Sequence, residues 1–446
     1  MACSPRTAAP SPREDLAQTL RRIYDLDLTT TSGGNLSLRD QDGHIWITPA
    51  GIDKGELRPE QVARVEGRDA NTRIGARMSP PSSELPFHRA LYAARSDLRA
   101  IVHAHPVSLV AFSIAGQLPD TRVSAHGYAL CGRVGFASYA LPASRELGER
   151  IAETFAKGFD CVVLENHGVV VAGTTLRQAF ERLEALDLCA RSILRARTVG
   201  RERLLTKHDL ALAIPESVAK AAPESTPSTD REHELRQTLC AIARRAHSKR
   251  LMTSTQGTLS ARLPEDAFLL TPTAIPLDRL EPSNLLRVDL ERCGQSEHDS
   301  RAALHAALYR VHPEVGAVAH GCAENTAGFS AAGIPLPSRT IPESYILVRE
   351  PVWVSFRATI LDPESVAAVL CPDHPVALVH HEGALTVGVD LLDAFDRLEV
   401  LEATAAALIA SRPLGEFTPI SDERLAELRM AFFPRGGFRG APDGGS

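Results

Sequence analysis

The sequence lacks the features that mark membrane-spanning, nucleic-acid-binding and disulfide-stabilised proteins. No apolar run in its 446 residues approaches the roughly 18 residues that a membrane-spanning helix needs. The formal net charge is −6, so there is no basic excess to favour nucleic acid or an anionic membrane. The 8 cysteines are scattered without a CxxC pair, which fits free thiols in a reducing compartment. We therefore expect a cytoplasmic protein whose partners include neither nucleic acid nor membrane.

The two halves of the chain resemble each other. TSGGNLSLR (31–39) is matched by STQGTLSAR (254–262), and FHRALYAARSDLRAIVHAHP (87–106) by LHAALYRVHPEVGAVAHGCA (304–323). The matches keep their order and a nearly constant offset of more than 200 residues, which indicates duplicated domains and not a short-period solenoid. A stretch rich in Pro, Ser and Thr between the halves is typical of a linker. The predicted organisation is a disordered tail at 1–11, domains at 12–212 and 231–435, a linker at 213–230 and a disordered tail at 436–446.

Each half alternates helical and strand patterns. In the first half, EDLAQTLRRIYDL (14–26) and SELPFHRALYAAR (83–95) predict amphipathic helices. AIVHAHP (100–106) and CVVLENHGVVVA (161–172) predict apolar strands. Helices interleaved with apolar strands favour an α/β layered domain.

Three histidines of the first half are candidate metal ligands. His103 and His105 are separated by one residue on a predicted strand, so their side chains project from the same face. His167 follows an apolar run and precedes Gly168, where a strand passes into a turn. An isolated HxH pair more often caps a turn or faces solvent. Three histidines with an open fourth position are typical of a catalytic zinc site.

Three further motifs are compatible with an anion site. SPPSSELPFHRA (79–90) predicts a helix N-terminus, where backbone N–H groups and hydroxyls bind anions and where Glu84 is a possible general base. The alternative is a serine N-cap followed by an acid that the helix dipole favours. TSGGNLS (31–37) and TPAG (48–51) predict tight turns whose N–H groups face a ligand, or simple β-turns.

Taken in order, GGNLS, TPxG, PSSE, HAHP and ENHG closely resemble the class II aldolase/adducin superfamily. The resemblance spans nearly all of residues 12–200, and residues 231–430 resemble a second, degraded copy. It implies two tandem three-layer α/β/α domains, each with a central, largely antiparallel sheet.

The resemblance implies a metal-dependent aldolase. In the aldolase branch the three motif histidines, here His103, His105 and His167, hold Zn²⁺ or another divalent metal such as Mn²⁺. The motif acid, here Glu84, is the catalytic acid/base. A tyrosine contributed by a neighbouring subunit completes such sites; Tyr128 is the candidate here, and Tyr139 is the alternative.

The implied substrate is a small phosphorylated sugar. A ketose phosphate resembling fuculose 1-phosphate would be cleaved to dihydroxyacetone phosphate and an aldehyde through a zinc-stabilised enediolate. By resemblance, the residues that hold its phosphate are Asn35, Thr48, Gly51, Ser82 and Ser83.

Three alternatives stay open within the superfamily. Pentulose-phosphate 4-epimerases carry Asp at the position of Glu84, so the glutamate favours an aldolase or a related lyase. Sugar-acid phosphate decarboxylases use a similar acid and histidine set. A non-catalytic, adducin-like scaffold is the third alternative, and the complete metal set of the first half argues against it.

The second half has lost most of this set. Asn35 corresponds to Thr258, Glu84 to Arg301, His105 to Cys322 and His167 to Glu382, while His103 is kept as His320; Gly51 corresponds to Ala274. An arginine stays protonated and cannot serve as an acid/base, so we expect a catalytically dead domain.

Family symmetry suggests a role for such a copy. It implies a homo-oligomer, in which a dimer of duplicated chains mimics a ring of four domains. Tyr345, which aligns with Tyr128, would then complete the first domain's site.

Overall fold

The computed structural model describes residues 10–65, 80–212, 229–273, 275–291, 293, 300–371 and 374–432. Most of the predicted tails and linker, together with Ala274, lies outside these residues. The described residues form two units, one from 1–121 and 130–190 and the other from 122–129 and 191–446. Residues 122–129 and 191–212, which the sequence assigns to the first domain, thus group with the second unit. The domain bounds at the linker stay a prediction.

The first unit is built on a seven-stranded sheet. Its strand order is β3-β2-β1-β4-β7-β6-β5, and every neighbouring pair is antiparallel except β5 and β6. This confirms the largely antiparallel sheet that the family resemblance implies. The strands are β1 (Asn35–Arg39), β2 (Ile45–Ile47), β3 (Ala63–Val65), β4 (Ala100–Ala104), β5 (Gly135–Ala137), β6 (Cys161–Leu164) and β7 (Gly168–Gly173).

Helices cover the sheet because its central strands are apolar on both faces. All five residues of β4 are buried, although alternate side chains point to opposite faces. Ile101 packs in one core with Phe87 of α2 and Ile151 of α5. The α/β/α layering is therefore confirmed. The helices before the linker are α1 (Pro12–Asp25), α2 (Leu85–Ala94), α3 (Val107–Ile114), α4 (Ala125–Cys131), α5 (Arg145–Ala156), α6 (Leu176–Val199) and α7 (Lys207–Leu212).

The segment CVVLENHGVVVA is a hairpin, and the prediction of one continuous strand was wrong. β6 ends at Leu164, and β7 begins at Gly168 and returns antiparallel to it. Asn166 adopts a positive φ of 53° in the turn, a conformation that asparagine tolerates better than most residues. The turn places His167 at the end of the sheet, as predicted from its position before Gly168.

The second unit repeats this topology. Its strand order is β10-β9-β8-β11-β14-β13-β12, and only β12 and β13 are parallel. The strands are β8 (Thr258–Leu263), β9 (Ala267–Leu270), β10 (Leu286–Asp289), β11 (Ala317–Gly321), β12 (Val352–Val354), β13 (Val376–Val379) and β14 (Gly383–Gly388). The tandem duplication inferred from the sequence is thus confirmed.

Eight helices of described residues follow the linker. They are α8 (Asp230–Ser248), α9 (Ser300–Val311), α10 (Glu324–Ala332), α11 (Pro342–Val348), α12 (Phe356–Leu361), α13 (Pro363–Val369), α14 (Leu391–Ser411) and α15 (Asp422–Phe432). Across the described part of the chain, no helix combines the length and the apolar character needed to cross a membrane.

A buried histidine links helix α9 to the sheet of the second unit. His305 Nδ1 lies 2.7 Å from Ser260 Oγ, and His305 Nε2 lies 3.0 Å from Thr258 Oγ1. Ser260 Oγ is also 2.7 Å from the hydroxyl of Tyr309. Burial, together with the charges of His320 and Arg301, lowers the pKa of His305 to about 3.

We predict that His305 makes the second unit sensitive to acid. Its pKa is about 3 when folded and near 6.5 when unfolded, so stability is lost as the pH falls below 6.5. In a Trp46→Phe background, Trp353 is the sole tryptophan and its fluorescence reports on the second unit. Between pH 7.5 and 5, the free energy of unfolding should fall by about 2 kcal/mol more with His305 than with His305→Gln. Parallel pH profiles of the two proteins would contradict this assignment.

Candidate metal centre

The sheet register brings the three predicted histidines together. His103, on β4, pairs with Asn35 of β1 on one side and with Val170 of β7 on the other. His105 follows two residues later, and His167 lies in the turn between β6 and β7. One nitrogen from each ring lies within 4.8 Å of the other two. Three imidazoles therefore converge on one point at the end of the sheet.

The ring nitrogens are oriented as metal ligands require. His103 Nδ1 donates a hydrogen bond to the carbonyl of Val169 (2.9 Å), which leaves the lone pair of Nε2 facing the cluster. His103 Nε2 lies 3.0 Å from His105 Nε2. Burial and the charge of His167 lower the pKa of His103 to about 3. Burial, then the charges of His103 and His167, lower the pKa of His105 to about 3. Both rings are thus neutral at pH 7, the form that binds divalent metals.

Two glycines make room for the ring of His105. A Cβ atom at Gly33 would lie 2.7 Å from His105 Nδ1, and one at Gly168 would lie 2.5 Å from His105 Cδ2. These glycines belong to the TSGGN and ENHG motifs. Their small size is needed for the close approach of the backbone to the imidazole, in addition to any role in turns.

Glu84 faces the histidines. Its Oε2 lies 3.3 Å from His103 Nε2, and its Oε1 lies 3.8 Å from His167 Nε2. The serine N-cap considered from the sequence was wrong: the N-cap of α2 is Glu84, and its side chain makes no capping hydrogen bond. The Ser82 hydroxyl instead accepts a hydrogen bond from the backbone N–H of Glu84 (3.2 Å). The carboxylate is therefore directed into the cluster and does not serve the helix terminus.

A buried polar chain that sequence reasoning missed holds Glu84 in place. Asn35 Nδ2 donates to Glu84 Oε2 (2.7 Å), and Asn35 Oδ1 accepts from His88 Nε2 (2.5 Å). His88 Nδ1 then lies 2.7 Å from Ser37 Oγ, which is 2.9 Å from the Tyr92 hydroxyl. Burial holds the pKa of His88 well below its usual value, so the ring is neutral. The repeated FHxxxY pattern in FHRALY and LHAALY was the signal available in the sequence.

The loops that carry the predicted phosphate residues lie side by side. Pro49 and Pro81 form an isolated antiparallel bridge, and Ser82 N donates to the Thr48 carbonyl (3.2 Å). Thr48 Oγ1 accepts from Leu36 N (3.1 Å). Ser83 and Gly51 are exposed, and Gly51 has a φ of 68° that suits glycine. The amide of Asn35 is already occupied by Glu84 and His88, so in this structure it serves the acid.

Lys54 is a second residue that sequence reasoning missed. It lies in a short 3₁₀ turn, Lys54–Glu56, three residues after Gly51, and only 4% of its surface is exposed. Burial lowers the pKa of Lys54, and the charge of Glu84 opposes that effect. Its charge in turn lowers the pKa values of His103 and His105. No motif pointed to this lysine, because only the fold buries it beside the histidines.

The predicted tyrosines lie outside this cluster of contacts. Tyr128 is on α4, in the segment that groups with the second unit, where the neighbouring His126 is 3.0 Å from Thr255 Oγ1. The catalytic role of Tyr128 stays a prediction. Tyr345 is buried, and its hydroxyl accepts a hydrogen bond from Arg429 Nε (2.5 Å). The Tyr345 hydroxyl, which was expected to complete the site of the first domain, is therefore already hydrogen-bonded. The ring-like dimer also stays a prediction.

Comparison with known proteins identifies the family. The family model described as "Class II Aldolase and Adducin N-terminal domain" matches residues 14–194 and again residues 237–409. The chain belongs to the class II aldolase/adducin family.

The named relatives of this chain have more than one enzymatic activity. L-fuculose phosphate aldolase of Methanocaldococcus jannaschii is 29% identical over 175 residues, 39% of this chain and 91% of that protein. 3-Oxo-tetronate 4-phosphate decarboxylase of Escherichia coli K12 is 30% identical over 185 residues, 41% of this chain and 85% of that protein. A solved L-fuculose 1-phosphate aldolase is 28% identical with a TM-score of 0.41, covering 46% of this chain and 96% of its own.

Within this family member, the three histidines fit a divalent metal. Three imidazoles with their nitrogens converging, and with Glu84 beside them, match the donors that Zn²⁺ prefers. Among the described residues, the other group at ligand spacing is Asp40, Asp42 and His44. There, Asp40 already accepts hydrogen bonds from Trp46 Nε1 (2.9 Å) and two backbone N–H groups. That carboxylate is committed to shaping its loop.

The corresponding end of the second sheet has different electrostatics. Burial raises the pKa of Glu382 to about 7, and the charge of Arg301 opposes it. Burial and the Arg301 charge lower the pKa of His320 to about 4. His320, Cys322 and Glu382 are all described residues, and they do not form a group at ligand spacing. The loss of catalysis in this copy stays a prediction.

We predict one tightly bound metal ion per chain, held by the first unit. His105→Ala should abolish it, because two imidazoles and a carboxylate lose the convergent third ring. His320→Ala is the control, since it removes the one histidine of this motif that the second unit keeps, and it should leave the metal content unchanged. Elemental analysis of chelator-free preparations decides the matter. Two ions per chain, or a loss of metal in His320→Ala, would contradict the assignment.

Proposed function

We propose that the first domain is a metal-dependent aldolase that cleaves a phosphorylated ketose into dihydroxyacetone phosphate and an aldehyde. The observation that carries the proposal is the placement of Glu84 within 3.3 Å of His103 and 3.8 Å of His167, in a cluster of three converging imidazoles. A carboxylate beside a metal set can move a proton at a carbon next to a carbonyl, which aldol cleavage requires.

His103, His105 and His167 would hold the metal, for which Zn²⁺ is proposed and Mn²⁺ is the alternative. The bound cation would act as a Lewis acid and lower the cost of negative charge on the substrate. Glu84 would then transfer the proton at the reacting carbon. Asn35, itself fixed by His88, keeps one carboxylate oxygen of Glu84 hydrogen-bonded and so restricts the orientation of the acid.

The phosphate of the substrate is proposed to bind between the TPAG and SSE loops. Backbone N–H groups at a turn and at a helix start provide donors there, and the hydroxyls of Ser82 and Ser83 add two more. The substrates named for the fuculose phosphate, 5-deoxy-D-ribulose phosphate and 3-oxo-tetronate phosphate enzymes are all phosphorylated. A phosphorylated sugar is therefore the proposed partner.

A decarboxylase acting on a phosphorylated 3-oxo sugar acid is the second candidate. The decarboxylases among the relatives are 30–32% identical to this chain, and this identity is as high as that of the aldolases. Both reactions leave negative charge on a carbon beside a carbonyl, so the same histidines and Glu84 would serve either. Both reactions would release dihydroxyacetone phosphate, so the second product, an aldehyde or carbon dioxide, and the substrate that is consumed distinguish them.

We expect the metal-loaded protein to release dihydroxyacetone phosphate from ketose 1-phosphates such as fuculose 1-phosphate and 5-deoxyribulose 1-phosphate. A coupled glycerol-phosphate dehydrogenase assay measures that product. A parallel assay of carbon dioxide from 3-oxo-tetronate 4-phosphate tests the second candidate. Release of carbon dioxide without any cleavage of ketose 1-phosphates would replace the aldolase assignment with the decarboxylase.

Glu84→Gln should separate chemistry from metal binding. The amide keeps the size of the side chain but cannot transfer a proton, so kcat should fall by about 10²- to 10⁴-fold. The metal content should stay at the wild-type level, because the three histidines are unchanged. Glu165→Gln is a control: Glu165 follows β6, accepts a hydrogen bond from Tyr139 N (2.8 Å) and lies outside the cluster. Wild-type kcat in Glu84→Gln would remove this residue from the proposed mechanism.

A further inference from the structure

Lys54 is a buried residue whose ammonium group has no partner among the residues that the structure describes. Its backbone N–H donates to the Thr31 carbonyl (3.0 Å), but its ammonium group forms no hydrogen bond or ion pair with any residue that the structure describes. The ammonium nitrogen of Lys54 is not one of the fully buried, unpartnered nitrogen atoms of the described residues, so it keeps contact with solvent although the rest of the residue is buried. A cation that is held in place without a protein partner and remains accessible is suited to an anionic ligand.

The backbone around Lys54 is fixed from several sides. Asp53 caps the turn, because its Oδ1 accepts from Gly55 N (2.9 Å). Gly55 packs on Tyr24, whose ring a Cβ atom at that position would approach to 2.7 Å. The bond to Thr31 ties the turn to the TSGGN loop. The side chain therefore starts from a preorganised position between the TPAG and TSGGN loops.

The nearby acid does not neutralise this lysine. Glu84 lies close enough for the two charges to influence each other, yet the residues form no ion pair. The carboxylate of Glu84 is already contacted by Asn35 and His103. A positive charge thus remains available beside the reacting groups.

We propose that the Lys54 ammonium group binds the phosphate of the substrate. This proposal rests on the proposed function, since it assigns a further binding residue to the same site. The predicted phosphate residues Thr48, Gly51, Ser82 and Ser83 are all neutral, and Lys54 follows Gly51 in the same loop. Hydroxyl and N–H donors can hydrogen-bond to a phosphate dianion, but none of them carries the positive charge that would balance it. Lys54 supplies that charge.

The test compares anion binding with thermal stability in the zinc-loaded protein. Lys54→Met keeps the length of the side chain and removes its charge; Lys54→Arg keeps the charge. Isothermal calorimetry with inorganic phosphate should show at least tenfold weaker binding to Lys54→Met and a smaller loss in Lys54→Arg. Affinity for uncharged dihydroxyacetone and zinc content should not change. Lys157→Met, at an exposed lysine of the same unit, is the control and should bind phosphate normally.

Stability separates binding from a structural role. If Lys54 serves the ligand, Lys54→Met should melt at the same temperature as the wild type or higher, because the substitution breaks no side-chain bond to a described residue and replaces a charge on a buried stem by an apolar group. A lower melting temperature together with unchanged phosphate affinity would overturn the proposal. Weaker binding of glycolate with unchanged binding of phosphate would also overturn it, in favour of a carboxylate ligand. None of these readouts requires turnover, so a failed aldolase assay would leave the result interpretable.

Discussion

The register of β4 between its two neighbours is the constraint on which the metal centre depends. It sets Asn35 opposite His103 on one side and Val170 opposite His103 on the other. The first pairing delivers the amide that holds Glu84, and the second brings the hairpin with His167 alongside. A slip of one residue would turn His103 and His105 to the opposite face of the sheet, away from α2 and Glu84. Burial of both faces is what fixes that register.

Both units contain the same kind of buried hydrogen-bonded chain, although the residues at its end differ. A tyrosine, a serine and a histidine form the buried chain in each unit: Tyr92, Ser37 and His88 in the first, Tyr309, Ser260 and His305 in the second. In the first unit the chain ends on Asn35 and the carboxylate of Glu84. In the second unit it ends on Thr258, and Arg301 stands where the acid would be. We interpret the shared tyrosine, serine and histidine as a feature of the fold. The groups on which each hydrogen-bonded chain ends determine the chemistry of that unit.

Local sequence patterns predicted which side chains lie together along one strand or at its end. They did not predict the contacts between residues on different elements of the fold. The alternation of HAHP placed His103 and His105 on one face, and the helix pattern of SELPFHRALYAAR located α2. A turn beside His167 was predicted, but the returning strand was not, because the apolar runs on both sides of ENHG have the same composition as one long strand. His88 looked like an ordinary helix residue, since its role depends on Asn35, which is 53 residues away in sequence. Lys54 looked like a loop residue, since only the fold buries it and brings Glu84 near it.

The central claim is that three imidazoles of the first unit bind the metal. X-ray absorption spectroscopy at the zinc edge, on protein loaded with one equivalent of zinc, tests this claim directly by identifying the ligand atoms. The account predicts three imidazole ligands together with oxygen, and no sulfur. Scattering from a sulfur atom would place the zinc at Cys322 or another thiol and would contradict the assignment of His103, His105 and His167.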